Sequence, residues 1–223
     1  MDESVIANVK QLAQSSWEKG DPVGWFETLY ASADGDVSVV PWAKLTANPN
    51  LVNWIKQHQI QGNGKKALVV GCGLGDDAEA LAQVGFDVTA FDISPTAIAW
   101  CQKRFPNSTV TYCVADLFDA PKSWQRSFDF VLESYTLQSL TSGLRDRAIA
   151  CTASFVGDRG TLLVICRGRN SEDPEGDLPF PLTKNELNTF QKYGLKEVAF
   201  MDFLDRENAR QVRRFCVQYE LRS

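Results

Sequence analysis

The run Ala67-Leu68-Val69-Val70-Gly71-Cys72-Gly73-Leu74-Gly75-Asp76-Asp77 constrains the fold of this 223-residue chain more than any other stretch. Four apolar residues break into glycines at every second position, and Asp76-Asp77-Ala78-Glu79-Ala80-Leu81-Ala82 follows. That order reads as a buried strand, a tight loop and a helix with acidic residues in its first turn. Glycines let the loop backbone come within contact distance of a bound cofactor, where a Cβ would collide or forbid the required φ. Taken alone, such a turn serves packing as readily as binding.

The spacing separates cofactor classes. A dinucleotide fingerprint requires Gly-x-Gly-x-x-Gly, and its third glycine position is here Asp76, beside Asp77. Two carboxylates there repel a pyrophosphate and suit a cofactor with a cationic centre or an ammonium group. A nicotinamide-dependent oxidoreductase is the competing reading, and it expects glycine at 76. Beyond the helix, Phe86-Asp87-Val88-Thr89-Ala90-Phe91 alternates like a strand and ends in Asp92, 21 residues after Gly71. A carboxylate at that strand end is placed to accept hydrogen bonds from ribose hydroxyls. Its bland alternative is a helix cap, but Ser94-Pro95 supplies a better one. A third strand, Thr109 to Val114, leads into Ala115-Asp116-Leu117-Phe118.

These residues resemble the motifs of class I S-adenosylmethionine-dependent methyltransferases, whose cofactor carries a sulfonium, an ammonium and no phosphate. The resemblance implies cofactor contacts at Gly71, Cys72, Gly73, Gly75, Asp92, Ile93 and Glu133. It also implies that Asp116 faces the adenine amino group, with Leu117 and Phe118 covering the ring. The segments Trp25 to Tyr30, Val40 to Leu45 and Asn48 to Val52 are similar to N-terminal regions of the thiopurine and halide/thiol methyltransferase branch, where a tryptophan region folds over the cofactor. Trp42 is the residue carried over from it. One departure is Val69, where many class I enzymes have an acidic residue. Asp76, Asp77 or carbonyls of the Gly71 loop are then left to meet the methionyl ammonium.

Strand four is expected at Phe128 to Leu132 and strand five at Gly160 to Arg167, the latter a near-continuous apolar run typical of a strand covered on both faces. Leu144 to Val156 reads as the crossover helix between them. Repeated strand and helix predict a parallel sheet with right-handed crossovers. A helix at Thr183 to Tyr193, opened by a Thr183-x-x-Glu186 capping box, and strands near Leu195 to Phe203 and Val212 to Leu221 resemble the family's closing elements. The expected architecture is thus a single α/β domain over 1–223: a doubly wound Rossmann-like, mostly parallel sheet with an antiparallel last strand at 61–223, and a helical N-terminal cap at 1–60. Val5, Ile6, Val9, Leu12 and Ala13 share one face of an amphipathic helix in that cap.

With 44% hydrophobic residues the chain can bury one good core. A net charge of −5 without a Lys/Arg run speaks against nucleic acid as a partner. Arg206, Arg210, Arg213 and Arg214 read as a solvated strand end balanced by Asp202, Asp205 and Glu207. The six cysteines show no metal-ligand spacing, and because four of them sit in or beside expected strands or the glycine loop they read as small buried residues of a reducing cytoplasm. His58, the single histidine, lies in a polar stretch and is expected to face solvent. The start Met1-Asp2-Glu3-Ser4 is acidic where a secretory leader would be basic, and no apolar run reaches bilayer length, so no membrane partner is expected. A monomer or homodimer is expected.

The loop Gly168 to Pro181 follows strand five directly, where an open α/β sheet keeps its crevice. With Trp25, Phe26, Tyr30, Trp42, Tyr135 and Phe180 it can build an aromatic acceptor pocket that excludes water and favours a sulfonium. Tyr135, Glu133 and Arg167 are the strand-end residues positioned to touch an acceptor, Arg167 attracting an anion. The implied chemistry is an in-line displacement of the cofactor's methyl group onto a small acceptor. Collinear alignment can supply roughly 7–11 kcal/mol of the barrier reduction. The N-terminal resemblance favours a thiol, halide or metalloid acceptor. A small O- or N-acceptor is the alternative, and a domain that binds the cofactor without transferring its methyl group is a third reading.

Overall fold

The computed structural model describes residues 3–207 and 210–221. Met1, Asp2 and the side chains of Glu3, Glu207 and Arg210, which figured in the sequence reading, lie outside the described residues. Elements run in the order α1 (Glu3–Glu18), α2 (Gly24–Ser32), α3 (Pro49–Gln57), β1 (Lys66–Val70), α4 (Asp76–Gln83), β2 (Asp87–Asp92), α5 (Pro95–Arg104), β3 (Thr111–Val114), β4 (Phe128–Ser134), α6 (Ser142–Phe155), β5 (Val156–Arg169), β6 (Leu182–Thr183), α7 (Lys184–Leu187), β7 (Leu195–Glu207) and β8 (Arg210–Leu221).

The main sheet has the order β3-β2-β1-β4-β5-β8-β7. The pairs β2–β3, β1–β2, β1–β4 and β4–β5 are parallel, whereas β5–β8 and β7–β8 are antiparallel. Alternate residues feed two separate cores, as strand periodicity demands. Leu68, Val70, Val131, Leu162 and Val164 pack with α6 residues such as Ala148 and Ile149. Ala67, Val69, Phe130, Leu132, Leu163 and Ile165 pack with Ala78 and Leu81 of α4 and with Leu51, Trp54 and Ile55 of α3. Helix α3 therefore seals a sheet face. The cap over the strand ends is made by α1, α2 and the segment that follows them, where Val9, Ala13, Trp25 and Leu29 bury against Leu178.

Element ends differ from the sequence expectation for local reasons. β3 starts at Thr111 because Ser108 Oγ takes the Val110 N–H in a turn at 2.9 Å. β5 starts at Val156, four residues early, through a register irregularity opposite Phe128 and Phe130. The Thr183–Glu186 capping box is present, but the α-helix it opens spans only Lys184–Leu187. The chain then tightens into a 3₁₀ turn over Asn188–Tyr193 and stops at Gly194 with φ +85°. His58 is exposed at the end of α3, its Nδ1 2.9 Å from the Trp54 carbonyl. All six cysteines are free thiols. Among the described residues no helix is long and apolar enough to cross a membrane.

Candidate active site

A cavity of about 560 Å³ opens where β1, β2, β4 and β5 end, roofed by the cap. That size suits a cofactor and a small second molecule, since ligand clefts run roughly 300–1,000 Å³. It sits where the strand order of a doubly wound sheet reverses, between β1 and β4.

The glycine loop forms one wall, and its three glycines are needed for different reasons. Gly71 (φ +59°) lets the turn after β4 approach, because a Cβ there would lie 2.5 Å from Thr136 Oγ1. Gly75 (φ +86°) caps α4 and makes room for the Tyr112 hydroxyl, 2.6 Å from its notional Cβ. Gly73 (φ +53°) faces the cap, where a Cβ would come 3.2 Å from the Tyr30 hydroxyl and 3.8 Å from Trp42. Gly71, Cys72 and Gly73 line the cavity, while Gly75 is not part of its wall. The steric demand anticipated from a cofactor thus comes largely from the protein itself.

Asp92 is only 7% exposed, yet it lines the cavity. Its oxygens accept the N–H groups of Gly73 and Ser94, both at 2.9 Å. Burial pushes its pKa up to about 6, against the lowering effect of those backbone bonds. Ile93, Asp116, Leu117 and Phe118 continue the wall. Asp116 also accepts the Phe118 N–H at 2.8 Å, which fixes the short turn after β3. Asp76 and Asp77 reach the same end of the cavity but are engaged. Arg104 holds Asp76 in a two-pronged ion pair, at 2.8 and 2.9 Å. Asp77 accepts the Asn48 N–H at 2.6 Å, and its pKa is raised by burial.

The cap closes this half through specific contacts. Trp42 Nε1 donates to the Tyr30 hydroxyl at 2.7 Å, next to Gly73. Tyr30 is fully buried, and desolvation drives its phenol well above the ordinary range. Glu27 of α2 accepts hydrogen bonds from the Ser94 hydroxyl and from the Thr96 hydroxyl and N–H. Partial burial opposes ionisation of Glu27, but those bonds prevail and its pKa is lowered.

The other half of the cavity lies over β4, β5 and β8. Tyr135, at φ +68°, and Arg167 line it as anticipated from their positions. Glu133 does not. It is fully buried behind the turn, its Oε1 accepting the Thr136 and Leu137 N–H groups at 2.7 and 2.8 Å, and desolvation raises its pKa to about 7. Phe180 also stays out of the cavity wall and packs on Trp17, leaving Leu178 and Pro179 to face inward. Arg214, read from sequence as solvated, is 2% exposed and lines the cavity with its guanidinium 4.9 Å above the Tyr135 ring. Strand alternation gives no signal for it, since Phe215 and Val217 on the opposite face of β8 are as buried as Cys216 on its own. Gln138, whose Oε1 accepts the Arg167 N–H at 2.7 Å, and Asn48, whose Nδ2 donates to Ser134 Oγ at 3.0 Å, carried no sequence signal either.

Residues 67–160, from β1 into β5, match the methyltransferase-domain family. A ubiquinone biosynthesis O-methyltransferase of Azotobacter vinelandii is 50% identical over 54 residues, which is 23% of this chain and 23% of that protein. A probable S-adenosylmethionine-dependent methyltransferase of Mycobacterium tuberculosis is 28% identical over 143 residues, 60% of this chain and 50% of that protein. The matches therefore span half or less of these curated relatives. Among solved structures, the 1,6-didemethyltoxoflavin-N1-methyltransferase of Burkholderia thailandensis, with 1,6-didemethyltoxoflavin and S-adenosylhomocysteine bound, superposes with a TM-score of 0.69 at 16% identity. That alignment covers 89% of this chain and 88% of the other, so residues 67–160 and their flanks share one fold with it.

Proposed function

We propose that this protein transfers a methyl group from S-adenosylmethionine to a small-molecule acceptor, and the observation that carries this reading is Asp92. A buried carboxylate at the end of β2, both oxygens steadied by backbone N–H groups and opening on the cavity, suits the two hydroxyls of a ribose. Burial at a cost in charge solvation is what a site built to accept strong hydrogen bonds retains. Asp116, with Leu117 and Phe118, would take the adenine. The Gly71–Gly73 loop, with Trp42 and Tyr30 above it, would hold the amino-acid end. Engagement of Asp76 by Arg104 leaves Asp77 and loop carbonyls to meet an ammonium. The family match favours this methyl-transfer reading over hydride transfer.

When bound, S-adenosylmethionine supplies an electrophilic methyl group that an acceptor lone pair displaces from sulfur. The chain's own contribution is alignment and dryness. Trp25, Phe26 and Trp42 pack edge-on or stacked at 3.9–6.2 Å centroid distances, forming an aromatic roof that keeps water from the cavity. Tyr135 and Arg167 flank the acceptor end. With Glu133 turned away into the backbone, the site is better furnished for an acceptor that arrives ionised. A thiol, halide or metalloid acceptor fits that furnishing and the cap residues resembling the halide/thiol branch. An O- or N-acceptor is the second reading, favoured by the short match to the ubiquinone O-methyltransferase.

The test is calorimetric titration with S-adenosylmethionine and S-adenosylhomocysteine, with reduced nicotinamide cofactors as controls. Micromolar binding of the first pair alone is expected. Binding of a nicotinamide cofactor in their place would overturn the assignment.

A further inference from the structure

Where β4 leaves the sheet, two backbone groups lose their ladder partners, one on β4 and one on β5. The Tyr135 N–H still bonds the Ile165 carbonyl at 3.0 Å, and a continued parallel ladder would next join the Tyr135 carbonyl to the Arg167 N–H. The left-handed backbone of Tyr135, φ +68°, turns the chain away before that bond forms. The short turn Leu137–Ser139 meets both groups with side chains instead. Ser139 Oγ donates to the Tyr135 carbonyl at 3.0 Å, and Gln138 Oε1 accepts the Arg167 N–H at 2.7 Å. That second bond fixes which way round the Gln138 amide lies, because an amide nitrogen only donates and cannot receive an N–H. Gln138 is 5% exposed and lines the cavity. Its Nε2 donates to no group among the described residues, and it is not one of the polar atoms sealed inside the protein either.

Resting on the methyl-transfer reading above, we infer that Gln138 presents its Nε2 to the acceptor, and that the acceptor is an organic molecule carrying a carbonyl oxygen on an apolar body. Water can serve those donors while the site is open. Once an acceptor expels it, a donor left unmet costs its full desolvation, so the acceptor itself has to bring the oxygen. A carbonyl only accepts, which complements an NH₂ group whose own oxygen is already used, whereas a hydroxyl there would bring a hydrogen in need of a further partner. Tyr135, Leu140, Leu178 and Pro179 line the same cavity. The Gln138 carbonyl accepts the Phe180 N–H at 2.7 Å, which ties the loop bearing Leu178 and Pro179 to the turn that carries the amide. A few aimed polar groups in an apolar wall are what orients a small molecule. A halide ion has no orientation to fix, so the arrangement narrows the acceptor to organic molecules. Gln138 is thus a specificity-determining residue that sets how the acceptor lies and leaves the methyl-transfer step itself unchanged.

The experiment measures calorimetric affinities on protein saturated with S-adenosylhomocysteine, using two matched pairs that differ by one carbonyl oxygen: 3-hydroxyacetophenone against 3-ethylphenol, and 3-mercaptoacetophenone against 3-ethylthiophenol. A preference for the ketone of roughly tenfold in at least one pair is expected, the worth of one well-made hydrogen bond. Gln138→Glu keeps an oxygen for the Arg167 N–H and removes the donor, so the preference should shrink to within about threefold or reverse, with S-adenosylhomocysteine affinity unchanged. Gln138→Met removes both groups at similar size, should act likewise, and keeps the test sound if Gln138→Glu does not fold. Equal affinity for ketone and alkyl partner, or no binding of either ketone, would overturn the inference while leaving the cofactor assignment intact. A preference that survives Gln138→Glu would overturn it too, reducing Gln138 to a prop for β5. Absence of S-adenosylhomocysteine binding by the wild-type protein would instead remove the reading on which the inference rests.

Discussion

The two ends of the cavity are built by opposite strategies. The end over β1, β2 and β3 is acidic and local. Its walls come from turns directly following those strands, and each carboxylate there is held by a backbone N–H or by a side chain nearby in the fold. The end over β4, β5 and β8 is of mixed charge and assembled from afar, bringing together Tyr135, Arg167, Leu178, Asp205 and Arg214. The lesson is that a cofactor shared across a family can be met by short motifs within one βαβ unit, whereas an acceptor is met by whatever the later strands and the cap happen to supply.

The sharpest way to break this comparison is at Gly71. Its positive φ and the 2.5 Å approach to Thr136 Oγ1 leave no room for a methyl group. Gly71→Ala should displace the loop and weaken S-adenosylhomocysteine binding by more than about 100-fold, about 2.7 kcal/mol or more by the usual conversion. Retention of near-native affinity would mean that the loop does not shape the cofactor end.

Asp92→Ala comes next, with an expected loss on the order of 1.5–3 kcal/mol in cofactor affinity, the worth of hydrogen bonds to a charged acceptor. The pH dependence follows from the raised pKa of about 6. A ribose donates to the carboxylate, so protonation of Asp92 competes with binding. Affinity for S-adenosylhomocysteine should be flat above about pH 7 and fall roughly tenfold per unit well below pH 6. In Asp92→Ala that slope should vanish. A slope that persists in the variant would assign the effect to another group.

Legibility followed the same divide. The glycine loop, Asp92, the Ser94 cap and the order of strands were readable because each is encoded within a few residues or by a periodicity. Glu133 misled because a strand-end acid looks the same in sequence whether it faces the cavity or accepts the N–H groups of the next turn. Arg214 was hidden among four arginines whose acidic neighbours suggested solvent. Only the pairing of β8 with β5, a contact between distant parts of the chain, brings it inside. The same holds for Phe180, which the loop after β5 turns toward Trp17 rather than the cavity.

A smaller effect is expected at the clasp between cap and core. Glu27→Gln weakens three hydrogen bonds to Ser94 and Thr96 at the start of α5. Cofactor affinity should drop about threefold to tenfold, as one weakened charged hydrogen-bond set implies, and trypsin should cut the cap faster at Lys10 or Lys19. Affinity for acceptors on the saturated protein should change less, because the clasp touches only the acidic end. An equal loss at both ends would show that the cap couples them.

The smallest change separates the ends most cleanly. Tyr135→Phe keeps the aromatic face on which Arg214 rests, and cation–π contact depends on that face rather than on the hydroxyl. The left-handed backbone at this position, φ +68°, costs phenylalanine no more than tyrosine. Stability should stay within about 0.5 kcal/mol of wild type, and S-adenosylhomocysteine affinity within about twofold. Turnover with a fixed acceptor is the informative readout. A fall in kcat at unchanged cofactor affinity places the hydroxyl against the acceptor, and unchanged kcat makes Tyr135 a positioning residue for Arg214. A tenfold loss of cofactor affinity in this variant would mean that the end over β4, β5 and β8 reaches into the acidic one, and the division of the cavity would fail.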